Sequence, residues 1–473
     1  MAAQDFVDKA IFRRSDIRGL YPQQLNIQVA KKIGQAFYLW LLQNQQKDPN
    51  MHSKITIAIG RDVRYSSGEI FTGLAEGIME EGGNVVDLDL IGTEIISFAA
   101  STLGVDGGIV VSASHNPQQY NGVKLVRAGA VPIAYDSGLD QIRQIVDLLP
   151  QIKNKTSKGS VNRQNIYGHW TKYVGKLIHK SRIKPLGVVI DAGNGMGGML
   201  IEPLLPFLPI RLTKMYFEPD GNFPNHVPNP LIPENLRDVI TEVIRQKADL
   251  GIAFDGDADR VIFIDESGTP INCSVIGALI AKEELTQQPD SAVLYNAVCG
   301  RIVKETIFSM GGKPTRTMVG HSVIKEKMRS LSAIFAVEHS GHFYYKDYFE
   351  SDSSILTIIK ILEIISKNNC KLSEIVKPLN VYFQSGEINF ETPEKQHIIE
   401  EVRKRYINDT LAFDQLDGDS LWFNDWWFNI RPSQNEDLLR LNIETDKMER
   451  LSSQKRELTE FINSLGAKVY QPF

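Results

Sequence analysis

Apolar and polar positions along the chain alternate in a recurring sequence of periods. A short apolar run is followed by a loop of small residues and then by a helical pattern. Residues 55–60 run through 61–68 into an amphipathic stretch from Glu69 to Glu81. Residues 186–190 lead into Asp191-Ala-Gly-Asn-Gly-Met-Gly-Gly198, and residues 292–295 lead into 296–300. Strands that alternate with helices predict α/β domains with largely parallel or mixed sheets, and the recurrence points to three related modules.

Two further segments change this picture toward the C-terminus. Residues 353–366 place Ile355, Leu356, Ile358, Ile359, Ile361, Leu362, Ile364 and Ile365 around Lys360 and Glu363, the pattern of a mostly buried helix. Beyond about Lys377 the pattern differs. Residues 438–445 alternate Leu439, Leu441 and Ile443 with Arg440, Asn442 and Glu444, which predicts a half-exposed strand. Residues 448–465 predict a closing helix that stops at Gly466. The last domain is therefore expected to be α+β. A chain of 473 residues is too long for one core. The polar stretches 153–160 and 265–270 suit domain boundaries. The expected division is 1–153, 154–265, 266–377 and 378–473.

Composition narrows the class of protein. With 42% hydrophobic and 23% charged residues, the chain is expected to pack as a globular protein. A net charge of −5 offers no global attraction for nucleic acid or anionic lipid, so an anionic substrate needs a local basic pocket. Cys273, Cys299 and Cys370 are too few and too dispersed for a disulfide framework. The N-terminal stretch carries Asp5 and Asp8 without an apolar core, and no apolar run reaches membrane-span length. A soluble, cytoplasmic protein is the expectation, with no nucleic-acid or membrane partner.

Four loops carry candidate chemistry. Ser112-Ala-Ser-His-Asn-Pro117 follows the apolar run 108–111 and brings Ser114 and His115 to a strand end. Serine needs a base or a metal to become a nucleophile, and a capping turn would use the same residues. Asp255-Gly-Asp-Ala-Asp-Arg260 sets three carboxylates at alternate positions between apolar runs, an arrangement that repels itself unless a cation neutralises it. Oxygen-only ligands select a hard ion. Asp255, Asp257, Asp259 and Glu266 also fall at EF-hand spacing, but Arg260 stands where that loop wants glycine, and the flanks read as strands. Val319-Gly-His-Ser-Val-Ile-Lys325 and Val337-Glu-His-Ser-Gly-His342 offer His321, Glu338, Ser340 and His342 to hydroxyl groups. Arg431-Pro-Ser-Gln-Asn-Glu436 combines a planar guanidinium with the donors of Ser433, Gln434 and Asn435, as a phosphate clamp or as a turn between strands. Arg18 in Ser15-Asp-Ile-Arg-Gly19 and Lys124 in Tyr120-Asn-Gly-Val-Lys124 are two further cations.

Taken together and in this order, these motifs resemble the α-D-phosphohexomutase family, in particular its bacterial phosphomannomutase and phosphomannomutase/phosphoglucomutase branch. Pro219-Asp-Gly-Asn-Phe-Pro-Asn-His-Val-Pro-Asn-Pro230 is similar to that branch too. The resemblance implies three related α/β domains and a smaller α+β domain around a central cleft. It implies a phosphorylated Ser114 and one Mg²⁺ per chain, held by Asp255, Asp257, Asp259 and an oxygen on Ser114. Arg260 is implied beside the phosphoserine, with Arg18, His115 and Lys124 serving charge stabilisation and proton transfer. Glu338, Ser340 and His342 are implied at the sugar hydroxyls, and Arg431, Ser433 and Asn435 at the non-reacting phosphate. The implied reaction interconverts hexose 6-phosphate and hexose 1-phosphate through a hexose 1,6-bisphosphate, which also activates the enzyme. Mannose is expected over glucose or glucosamine, for the supply of nucleotide sugars such as GDP-mannose, by a monomer or homodimer. Departures from the branch fall in the phosphate loop, where Gln434-Asn435 and Asp437 stand, and at Val337 and Ala258. A dehalogenase-like phosphatase would explain Asp255-x-Asp257 but leave Ser114 and Arg431 without a role. A non-catalytic phosphosugar-binding homologue would be expected to lack the serine or an aspartate.

Overall fold

In the computed structural model, residues 7–44, 54–149, 158–433 and 438–470 are described. The three recurring patterns fold alike. Strand Thr56–Arg61 lies between Asn84–Leu90 and Gly107–Val111, parallel to both. Leu186–Asp191 lies in the same way between Ile210–Met215 and Leu250–Phe254. Ala292–Asn296 lies between Lys313–Thr317 and Phe335–Val337. In the first two sheets a fourth strand then returns antiparallel: Tyr120–Arg127 on Gly107–Val111, and Val261–Ile264 on Leu250–Phe254. The sheets are mixed because this return needs only a short connection, whereas each parallel step needs a crossover helix.

That shared topology places the chemistry. The Ser112–Pro117 loop, the Asp255–Arg260 loop and the Glu338–His342 loop each leave the carboxyl end of the third strand of their module. Loops at carboxyl ends of parallel strands are where open α/β sheets bind ligands. EF-hand geometry is ruled out, since strands Leu250–Phe254 and Val261–Ile264 flank the three aspartates.

The C-terminal sheet is wholly antiparallel and joins strands from Phe383–Glu391 to Lys468–Val469. One face carries Phe390, Phe428, Leu439, Leu441 and Ile443 and packs with Ile398, Leu458 and Ile462 from helices Lys395–Tyr406 and Met448–Ser464. The opposite face, expected to be half-exposed, is half-buried at Arg440 and Asn442 but closed at Glu444. Glu444 is buried and accepts from Trp427 Nε1 at 2.8 Å, Gln384 Nε2 at 2.6 Å and Arg301 Nε at 2.9 Å. Alternation alone cannot tell a solvated polar face from one closed by ion pairs.

By packing, the chain forms two compact units: residues up to Ile271 with Ser340–Ile375, and Asn272–His339 with Val376 onward. Strand pairing crosses two of the expected boundaries. Strand Val161–Arg163, beyond residue 153, still pairs with Asn84–Leu90 in the first sheet. Residues 265–270, expected at a domain boundary, turn a hairpin whose second strand Pro270–Ile271 pairs with Val261–Ile264. Asp265 is the reason: its Oδ1 accepts from Ser267 N and Thr269 N at 2.9 Å each, the local bonding that makes a tight turn. Of the 153–160 stretch, 153–157 lie outside the described residues. Helix Ser354–Asn368 is as expected, capped by Ser353 Oγ on Leu356 N at 3.1 Å. No helix among the described residues is long and apolar enough to cross a membrane, and the three cysteines are free.

Candidate active site

In the first unit the serine loop and the aspartate loop meet. Ser114 is only 2% exposed and has a left-handed backbone (φ 51°), a conformation that costs a non-glycine residue about 1 kcal/mol and re-aims its side chain. Ser112 Oγ accepts from Ser114 N at 2.8 Å. Ser114 Oγ then donates to Asp255 Oδ2 at 2.6 Å and lies 3.1 Å from His115 Nδ1. A Cβ on Gly256 would fall 2.6 Å from the Ser114 carbonyl oxygen, so only glycine lets the loops approach this closely.

The three aspartates are buried, with one oxygen of each within 4.8 Å of the others. Ala258, expected to be a neutral small-residue variant, takes φ 59° and turns the chain between Asp257 and Asp259. Burial, reinforced by Asp259 and Asp257, pushes the Asp255 carboxyl well above its ordinary range. Lys124 Nζ sits 2.7 Å from both Asp257 Oδ2 and Asp259 Oδ2. Burial works against that ammonium, but the two carboxylates hold its pKa well above normal. Thr93 Oγ1 adds a 2.6 Å bond to Asp257 Oδ2. Asp257 Oδ1 is buried with no hydrogen-bond partner among the described residues. Three buried carboxylates with an unsatisfied oxygen among them fit a hard dication such as Mg²⁺.

The other predicted cations of this unit gather at the same two loops. Arg18 donates from Nη1 to Asn116 Oδ1 at 2.5 Å and from Nη2 to Asp16 Oδ2 at 2.6 Å. Arg260 Nε lies 3.8 Å from Asp255 Oδ2. His342, expected to face the sugar, has Nε2 3.1 Å from Asp259 Oδ1 and Nδ1 2.9 Å from Ser340 Oγ. These two residues are thereby joined to the aspartate loop.

The second unit holds the remaining candidates. Glu338 Oε1 accepts from Gly320 N at 3.0 Å, beside His321 at the start of helix His321–Leu331. Asn296 Nδ2 donates to Glu338 Oε1 at 3.3 Å and lies 3.1 Å from His339 Nδ1. Arg431, expected in a loop, is instead the sixth residue of strand Trp426–Pro432 and only 2% exposed. Its Nη1 donates to Asn442 Oδ1 at 2.7 Å and Asn429 Oδ1 at 3.1 Å, and its Nη2 to Glu387 Oε2 at 2.6 Å. Ser433 follows directly, its N donating to Leu438 O at 2.7 Å. Gln434, Asn435 and Asp437 lie outside the described residues.

All four domains of the phosphoglucomutase/phosphomannomutase family match this chain: alpha/beta/alpha domain I over 9–152, II over 169–268, III over 273–382, and the C-terminal domain over 387–461. The chain belongs to that family. It is 37% identical over 462 residues to a phosphomannomutase of Vibrio cholerae, spanning 96% of this chain and 98% of the relative. It is 36% identical over 436 residues to a protein of Xanthomonas campestris pv. campestris named phosphohexose mutases, spanning 92% and 94%. A crystal structure of a phosphoglucomutase/phosphomannomutase family protein from Burkholderia thailandensis aligns with TM-score 0.85 at 30% identity, over 99% of this chain and 100% of that one. The fold extends to the N-acetylphosphoglucosamine mutase of Aspergillus fumigatus, solved with GlcNAc-6P and magnesium, at 13% identity and TM-score 0.56 over 96% and 95%. The chain is thus a mutase enzyme of the phosphohexomutase type.

Several residues that hold the candidate residues of the two units in place escape sequence reading. Arg64 is fully buried, and its guanidinium spans the serine loop, donating to the carbonyls of Ser114 at 2.7 Å, Asn116 at 2.6 Å and Pro117 at 2.8 Å. Asp62 Oδ2 anchors it from 3.1 Å. An arginine whose partners are backbone carbonyls some fifty residues away has no local signature. Thr93 and Glu387 are equally silent, although Gly386, a glycine inside the strand Phe383–Glu391, is the kind of signal that marks a bulge.

Proposed function

We propose that this chain interconverts hexose 6-phosphate and hexose 1-phosphate, with mannose as the hexose, by passing a phosphoryl group through Ser114. The observation that carries the reading is Ser114 Oγ held 2.6 Å from Asp255, at the edge of a buried three-carboxylate cluster. A serine that only capped a turn would have no use for that cluster. In the forward step the P–O bond to Ser114 breaks while the free hydroxyl of a bound hexose phosphate forms a new P–O bond. The hydroxyl proton passes to a base, for which His115 is the candidate, while Lys124, held as an ammonium by Asp257 and Asp259, adds positive charge at that end, and the product is a hexose 1,6-bisphosphate. Return of the other phosphoryl group to Ser114 completes the interconversion.

Asp255, Asp257, Asp259 and a phosphate oxygen on Ser114 would hold one Mg²⁺, which supplies charge neutralisation at the phosphoryl oxygens. Arg18 and Arg260 add positive charge to the same end. Glu338 and His321 read sugar hydroxyls, while Ser340 and His342 tie the sugar loop to Asp259. Arg431 and Ser433, with Gln434 and Asn435, hold the phosphate that does not react. The phosphomannomutase names of the full-length relatives favour mannose.

The test is Ser114→Ala together with a substrate panel. The variant should keep its fold by circular dichroism and lose mutase turnover; near-normal activity would end the phosphoserine reading. For wild type, kcat/KM with mannose 6-phosphate should exceed that with glucose or glucosamine 6-phosphates. The reverse order would remove mannose as the hexose.

A further inference from the structure

The polar face of the C-terminal sheet has one carboxylate at its centre. Arg431 and Arg440 stand directly opposite each other on neighbouring antiparallel strands, so their side chains share that face. Two guanidinium groups at adjacent cross-strand positions repel unless something lies between them. Glu387 does: its Oε2 is 2.6 Å from Arg431 Nη2 and its Oε1 is 3.3 Å from Arg440 Nε. The strand that carries it, Phe383–Glu391, slips register between Gln384 and Glu387, with Gly386 at φ 67°. A bulge of this kind re-aims the side chain that follows it. The slip is pinned, because Ser385 Oγ accepts from Ile443 N at 2.9 Å.

Glu387 also reaches the sugar loop. His339 Nε2 is 3.5 Å from Glu387 Oε2, and His339 Nδ1 is 3.1 Å from Asn296 Nδ2. Asn296 donates, so His339 Nδ1 accepts, and the ring proton sits on Nε2 facing the carboxylate. The same Asn296 amide donates to Glu338 Oε1. An unbroken line of contacts therefore runs Glu338, Asn296, His339, Glu387, Arg431.

We propose that Glu387 is a positioning residue for substrate recognition: it fixes Arg431 in its pose on the sheet and, through His339 and Asn296, sets that pose together with Glu338 in the sugar loop. This rests on the reading above, in which Arg431 grips the non-reacting phosphate and Glu338 reads the sugar. Arg431 has three N–H bonds already committed to Glu387, Asn429 and Asn442, so its direction is decided before substrate arrives. Pre-set direction is what a bidentate phosphate contact requires.

The experiment compares wild type, Glu387→Gln, Glu387→Asp, Arg431→Lys and the Glu387→Gln/Arg431→Lys double variant. KM and kcat are measured for mannose 6-phosphate, inorganic phosphate binding by calorimetry, and folding by thermal melting. Glu387→Gln should raise KM by about tenfold with kcat changed less than about threefold, and weaken phosphate binding by a similar factor. Glu387→Asp keeps the charge that separates the two arginines, so it folds even if Gln does not, but it withdraws the carboxylate and should raise KM by about fivefold. The double variant should bind no worse than Arg431→Lys alone, because the two act through one contact. The inference is overturned by a KM within twofold of wild type, by additive effects in the double variant, or by tighter phosphate binding in Glu387→Gln, which would make the carboxylate a competitor of substrate. If wild type turns over no hexose phosphate, the functional reading fails, while the calorimetric arm still tests Glu387.

Discussion

Replacing Glu94 with glutamine removes a carboxyl group that the fold buries. Glu94 is fully buried near the start of helix Thr93–Thr102. Its Oε2 accepts from Ser353 Oγ at 3.1 Å, Ser354 Oγ at 3.3 Å and Ile355 N at 3.3 Å, all at the amino end of helix Ser354–Asn368. Burial pushes its pKa from 4.5 to about 8 against the three donors, which lower it, and the nearby Asp352 adds to the rise. That shift of roughly 3.5 units, at about 1.4 kcal/mol each, sets an upper limit of about 5 kcal/mol for the charged form. Relaxation and water entry reduce this to about 1–3 kcal/mol. The folded state binds the proton more tightly than the unfolded chain, so this contribution is fully present below about pH 4.5 and is lost as pH rises through about 8. Glutamine carries no such cost. In urea unfolding, the midpoint of Glu94→Gln relative to wild type should therefore move in the variant's favour between about pH 5 and about pH 8. A difference that does not change across that range would refute the buried, neutral carboxyl.

Two other outcomes follow from the active-site geometry. Gly256→Ala places a methyl group 2.6 Å from the Ser114 carbonyl oxygen, which forces the serine and aspartate loops apart; kcat should drop by about 100-fold in a folded protein, and activity within twofold of wild type would contradict the loop contact. Treatment with EDTA should abolish turnover and Mg²⁺ should restore it, whereas Asp257→Asn should respond poorly to added Mg²⁺; activity indifferent to chelator would remove the metal role of Asp255, Asp257 and Asp259.

What could be read in advance depended on how far apart the interacting residues lie. The serine and aspartate loops were legible because each packs its chemistry into six residues behind an apolar strand. The buried helix near residue 360 was legible because its apolar positions run round the whole surface. The C-terminal sheet was only half legible. Its core face follows the alternation of Leu439, Leu441 and Ile443, but Glu444 is buried by Trp427, Gln384 and Arg301, partners that no window around 444 contains. Arg431, expected in the turn between two strands, belongs instead to the strand that Pro432 ends. Hydrogen-bonding capacity and the family resemblance point His342 at the sugar, and the fold also turns its Nε2 to Asp259.

By itself the sequence determined the inventory: strand–helix periodicity for three related modules, a serine loop, a carboxylate loop and an arginine near the C-terminus. Those are local properties, set by spacing of two or 3.6 residues and by the side chains present. Tertiary structure alone decided the pairings. It brought Asp255 to Ser114 across 141 residues of chain, placed Lys124 between Asp257 and Asp259, closed Arg64 over the serine loop, and set Glu387 between two arginines. Such contacts depend on strand order, register and one bulge, and a linear pattern carries none of these directly.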